Sequence, residues 1–222
     1  MTIILMLAMF SIFLTIDYFL KRSKVTIEDG EITNSPTLLP ARHTYVAGFD
    51  LPNYRSYHQG HTWAQQESPT VVRVGLDDFG ARLAGKIDGI VLPKLGQWLR
   101  QGQRFVTLLR DGQKVDLVSP VEGEVTNLND ALLLDSSLTN TDPYGKGWFV
   151  SVVSPDLQTT FRNLLNGTLA RKWTAEAASR LQMRVPSLAG AVAQDGGVAV
   201  HDLTVQLPTE KWGEITRKFF LT

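Results

Sequence analysis

Residues 104–129 read R-F-V-T-L-L-R-D-G-Q-K-V-D-L-V-S-P-V-E-G-E-V-T-N-L-N, and D-P-Y-G-K-G-W-F-V follows at 142–150. Two apolar runs, Phe105–Leu109 and Val115–Val118, flank the dipeptide Asp111-Gly112. A two-residue turn needs φ > 0 at both central positions, which Asp-Gly supplies, so the pattern predicts a tight β-hairpin. Ser119-Pro120 stops the second strand, because proline has no N–H to give to a ladder. Glu122-Gly123-Glu124 makes another turn, and Val125-Thr126 starts a new strand.

Further strands are expected over Thr70–Val74, Ile87–Leu92, Trp98–Leu99 and Trp148–Val153. Asp77–Ala84 reads as a short helix, capped by Asp77 or Asp78 and closed by Gly85. Asn129–Leu134 and Asp135–Leu138 read as helical turns. The segments I-V-L-P-K-L-G-Q-W-L at 90–99 and L-V-S-P-V-E-G-E-V at 117–125 share hydrophobics, proline and glycine at like spacing, a weak internal repeat.

Taken in order, G-H-T-W at 60–63, V-G-L-D-D-F-G at 74–80, L-P-K-L-G at 92–96, D-L-V-S-P-V-E-G-E-V at 116–125, N…L at 129–134 and D-P-Y-G-K-G-W at 142–148 resemble the H protein of the glycine cleavage system. The resemblance runs from around Gly60 to Val153. It implies a mainly β, lipoyl/biotinyl-type barrel-sandwich hybrid made of two quasi-symmetric halves. In that family a lysine at the hairpin tip carries the lipoyl arm, seven residues before the serine of the S-P pair. Counting back from Ser119 puts Gly112 there, and a glycine has nothing to acylate. Leu109, Arg110 and Asp111 stand where the family has an acidic residue and a valine. The nearest lysine, Lys114, lies two positions later on the descending strand. The resemblance therefore implies a fold kept and a swinging arm lost, with no cofactor expected unless Lys114 itself is lipoylated.

Residues 2–20, T-I-I-L-M-L-A-M-F-S-I-F-L-T-I-D-Y-F-L, are almost wholly apolar and at ~1.5 Å per residue can cross roughly 30 Å of hydrocarbon. A signal peptide would want a basic start and a small-residue cleavage site, and neither is present. Lys21-Arg22-Ser23-Lys24 places positive charge on the C-terminal side only. The positive-inside rule then predicts a single-pass anchor in the inner membrane, N-terminus outside and the rest cytoplasmic. Tyr18 suits the interfacial belt, and Asp17 reaches headgroups or a partner, a proton-relay role being the alternative.

The expected organisation is an anchor with its basic flank at 1–24, an extended tether at 25–59, the H-like β domain at 60–155, and C-terminal helices plus a hairpin at 156–222. Y-V-A-G-F-D-L-P at 45–52 is expected to pack along the barrel without an element of its own. Asp156–Leu165 and Thr168–Met183 have helical spacing, with Leu169, Trp173, Ala177 and Leu181 forming a stripe. Ala191–Val205, centred on Asp195-Gly196-Gly197, suggests a hairpin, and Pro208-Thr209-Glu210 opens a final helix bearing Trp212, Ile215 and Phe219. These stripes are either core or a docking face for another subunit.

The 222-residue chain has zero formal net charge, so nothing electrostatic favours nucleic acid, and without cysteine it has no disulfide, thiolate nucleophile or cysteine-held metal. His58 and His61 lack the further ligands a metal needs, and His61 is expected to make a structural hydrogen bond at a strand start. Asp77-Asp78 reads as a helix cap rather than an acid/base pair, and Asp142-Pro143-Tyr144-Gly145 as a rigid turn under Trp148. No catalytic constellation and no metal site emerge. The expected function is a non-catalytic, membrane-anchored adaptor in a larger membrane complex, photosynthetic or respiratory, with the bilayer and other subunits as partners. The alternative is a membrane-tethered lipoyl carrier modified at Lys114. A stand-alone enzyme has no nucleophile–base pair to support it.

Overall fold

The computed structural model describes residues 44–186, 202–203 and 209–222. The apolar run 2–20, its basic flank and the tether up to residue 43 lie outside the described residues, as does most of the hairpin expected over 191–205. Among the described residues no helix is long and apolar enough to cross a membrane.

The strands are β1 (Tyr45–Val46), β2 (Phe49–Asp50), β3 (Ser56–Tyr57), β4 (Thr62–Gln66), β5 (Val71–Leu76), β6 (Gly89–Val91), β7 (Trp98–Leu99), β8 (Arg104–Arg110), β9 (Gln113–Val118), β10 (Gly123–Leu128) and β11 (Trp148–Val153). The helices are α1 (Asp78–Ala84), α2 (Ala131–Leu134), α3 (Leu138–Thr141), α4 (Leu157–Arg162), α5 (Gly167–Arg184) and α6 (Thr209–Phe220). One sheet runs β3-β4-β5-β11-β10-β7 and a second runs β6-β8-β9. Their inward residues make one core, in which Val72, Val74, Phe149 and Val152 of the first sheet join Val106, Leu108, Val115 and Leu117 of the second. The two repeat segments take matching roles. One leads from β6 into β7, the other from β9 into β10, and β7 pairs with β10.

Trp63 on β4 lies opposite Gly75 on β5. A Cβ at residue 75 would come within 2.5 Å of the indole, so only a glycine lets that ring lie flat on the strand. Asp77 caps α1 as expected, its carboxylate accepting from Gly80 N at 2.6 Å.

Three expectations are corrected. The stretch 45–52 forms the small β1–β2 hairpin and sends Phe49 into the main core, so it is not merely laid along the surface. The turn expected over 135–138 opens there, Leu138 N donating to Asp135 O at 3.4 Å, but it does not end there and runs on as α3 to Thr141. On α5 the buried face is Ala170, Thr174, Ala177, Ala178 and Leu181, while Leu169 is 58% exposed and Trp173 half-buried. A helix turns once in ~3.6 residues, so a strict four-residue spacing drifts off the core face. The stripe on α6 is core: Trp212, Ile215 and Phe219 are all buried, with Phe220 beside them.

Candidate functional site

The tip of the β8–β9 hairpin is a two-residue turn, Asp111 at φ 47° and Gly112 at φ 74°, closed by the pair Arg110 and Gln113. Space around Gly112 is open, with nothing within 4 Å of where a Cβ would stand. Asp111 N donates to the Asp88 carboxylate at 2.6 Å, and Asp88 N donates to Leu109 O at 2.8 Å, which fixes the turn against the loop before β6. Lys114 sits opposite Leu109, its side chain exposed. The turn is thus built on local chemistry that needs a left-handed residue at 112. Gly112→Lys is expected to fold at a cost of about 1 kcal/mol, because a side chain there must adopt φ > 0, and the shift in urea midpoint measures it.

Sequence reasoning missed what the descending strand is tied to. β9 is an edge strand, and α6 covers that edge. Arg217 Nη2 donates to Lys114 O at 3.1 Å, and Thr222 Oγ1 donates to Asp116 O at 3.0 Å. Gly213 N donates to the Gln113 side-chain oxygen at 3.2 Å. At the root of the hairpin Arg110 Nη1 and Trp212 Nε1 both donate to Ala84 O, at 3.1 and 3.0 Å, with the guanidinium 5.8 Å from the indole centre. The amphipathic stripe on α6 was visible in the sequence; nothing in the sequence said which surface it would cover.

A buried polar layer lies on the other side of α6. His61, at φ 63° just before β4, is 1% exposed and its Nδ1 is 2.9 Å from Asp77 Oδ2. This is the structural hydrogen bond expected of it, and it uses the same carboxylate that caps α1. The ring stacks on Phe79 at 4.3 Å and faces Trp173 at 4.5 Å. Asp78 is not part of an acid/base pair: it takes Arg82 Nε and Asp50 N, both at 2.8 Å. Tyr144 Oη donates to Asp50 O and receives Asp78 N, so the 142–145 turn braces α1, and Pro143 O accepts from Trp63 Nε1. The turn therefore sits under Trp63 more directly than under Trp148. Arg55 lies 3.7 Å above the Trp63 ring and donates to Tyr144 O. Among the described residues no cluster of three metal-ligating side chains occurs.

His58 is held below the ordinary imidazole range by burial and then by His61, and its Nδ1 accepts Gly60 N at 3.0 Å. The native state thus disfavours the imidazolium. Stability from this group is present above the unfolded value of 6.5 and is lost as pH falls through that value toward the lower folded one. Urea midpoints measured from pH 7.5 to 5 are expected to fall on acidification, and to fall less in His58→Gln.

The family model for the glycine cleavage H-protein matches residues 55–177. The glycine cleavage system H protein of Mycobacterium avium is 35% identical over 107 residues, 48% of this chain and 81% of the relative. That of Myxococcus xanthus is 33% identical over 107 residues, 48% and 82% respectively, and that of Thermus thermophilus 32% over 108 residues, 49% and 84%. Among solved structures, a glycine cleavage system H protein from Mycobacterium marinum matches with 26% identity and a TM-score of 0.49, covering 57% of this chain and 98% of that one.

Proposed function

The chain belongs to the glycine cleavage H-protein family, and from that premise we propose that it is a non-catalytic adaptor whose H-like domain carries no lipoyl arm. The observation that carries this reading is the hairpin tip, where the expected attachment position is Gly112, held at φ 74° in a tight Asp-Gly turn. A carrier lysine must project from the turn so that a ligase and several enzymes reach it in succession. Here the strand after the turn is also tied down, with Lys114 O and Asp116 O held by the C-terminal helix and its end. The apolar run 2–20 and its basic flank support anchoring in the cytoplasmic membrane, with the domain on the inner face in a larger complex. An energy-transducing complex, photosynthetic or respiratory, is the assembly proposed.

One observation favours the carrier reading instead: the Lys114 side chain is exposed, two residues from the turn. A two-residue slip keeps the side chain on the same face of the strand while moving it off the tip. Intact and peptide mass spectrometry on protein purified in mild detergent, with native mass on the same sample, separates the two. An unmodified chain inside a larger assembly is the expected result. A lipoyl-sized increment on Lys114 would overturn the adaptor reading, and a lone unmodified monomer would count against it as well.

A further inference from the structure

A cleft of about 280 Å³ opens between α5, from Trp173 to Arg184, and the end of α6. Its apolar side is Trp173 and Phe219, and its polar side is Glu176, Arg180, Arg184 and Lys218. The aromatic surface is rigid because its back is locked into the core. Trp173 packs on buried His61, and Phe219 packs on Phe79 at 5.3 Å. Arg180 and Arg184 are one turn apart on α5 and therefore share a face. Neither makes a salt bridge among the described residues; Arg180 lies 5.9 Å from the Phe219 ring centre. Lys218 is engaged by Glu214 at 2.6 Å. Counting Glu214 beside Lys218 and Arg184, three cations stand against two carboxylates, a small positive balance. Guanidinium groups beside an aromatic wall combine planar anion recognition with stacking.

We propose that this cleft binds a small organic anion with a flat, apolar body, its phosphate or carboxylate held by Arg180 and Arg184 and its ring laid against half-buried Trp173, with buried Phe219 as the floor beneath. The site lies away from the hairpin tip and does not depend on whether the chain carries a lipoyl arm. Glu176 lies between Trp173 and Arg180 on α5, so its charge holds the anionic end toward Arg184. Binding weakens as salt rises, because exposed charges are screened.

Titration calorimetry of phenyl phosphate into the full chain in mild detergent tests this, with inorganic phosphate and phenol as partial ligands. Saturable binding of phenyl phosphate is expected, at least tenfold tighter than either fragment and at least tenfold weaker in Arg180→Gln/Arg184→Gln. Both side chains are exposed, so the double variant is expected to keep its thermal midpoint. Arg184→Gln alone, checked by circular dichroism, gives a second reading and is expected to weaken binding several-fold. No saturable binding, equal affinity in the folded variants, or phenol binding as tightly as phenyl phosphate would each overturn the proposal.

Discussion

Trp212→Ala is expected to lower stability by about 4 kcal/mol, the range found for emptying a buried aromatic site. The indole is 1% exposed, donates to Ala84 O at 3.0 Å, and lies beneath the Arg110 guanidinium. Its loss leaves a cavity under the only helix that covers the β9 edge among the described residues. Urea unfolding measures the change, with exposed Lys211→Ala as the control and an expected shift within about 0.5 kcal/mol. Hydrogen exchange adds the local consequence. Amides of residues 113–116 are expected to exchange faster once α6 loosens. A shift below about 1 kcal/mol for Trp212→Ala would mean that α6 is an appendage instead of part of the domain.

Asp78→Ala is the second large effect, expected to cost about 3–5 kcal/mol because it strips a buried arginine of its carboxylate. Arg82 is 5% exposed, and its Nε lies 2.8 Å from Asp78 Oδ1. Burial raises the Asp78 carboxyl above its ordinary value, and Arg82 opposes that rise. The sign follows from the folded value exceeding the unfolded 3.8. This group's own favourable contribution is full below the unfolded value and is lost as pH rises through the folded one. At neutral pH the ionised carboxylate is therefore kept by its bonds to Arg82 and Asp50 N, against the cost of its desolvation. Asp78→Ala/Arg82→Met is expected to recover part of the loss, since removing both charges leaves neither uncompensated. A double-mutant cycle reads the coupling directly, and additive single effects would dismiss it.

The hairpin was legible because its determinants are local. Asp111-Gly112 between two apolar runs dictates the turn, and the observed φ values of 47° and 74° are those a two-residue primed turn requires. The α1 cap was legible for the same reason, since Asp77 reaches Gly80 N three residues away. The α5 stripe was half right: Ala177 and Leu181 are on the face that packs, while Leu169 and Trp173 at its start lie off it. Small Ala170, Thr174 and Ala177 are what let the helix approach, and their size carries little hydrophobic signal.

Family, the β8–β9 hairpin and the lack of a lysine at its turn were all determined by the sequence itself, through turn chemistry, motif order and spacing. Other features were decided only by the tertiary structure. Arg217 and Thr222 hold β9 across 103 and 106 residues of chain. Asp77 serves a helix cap and His61 at once. Arg180, Arg184 and Lys218 line one cleft with Trp173. Such contacts depend on which surfaces meet once the core is buried, and a hydrophobic pattern specifies that a face is covered without specifying by what.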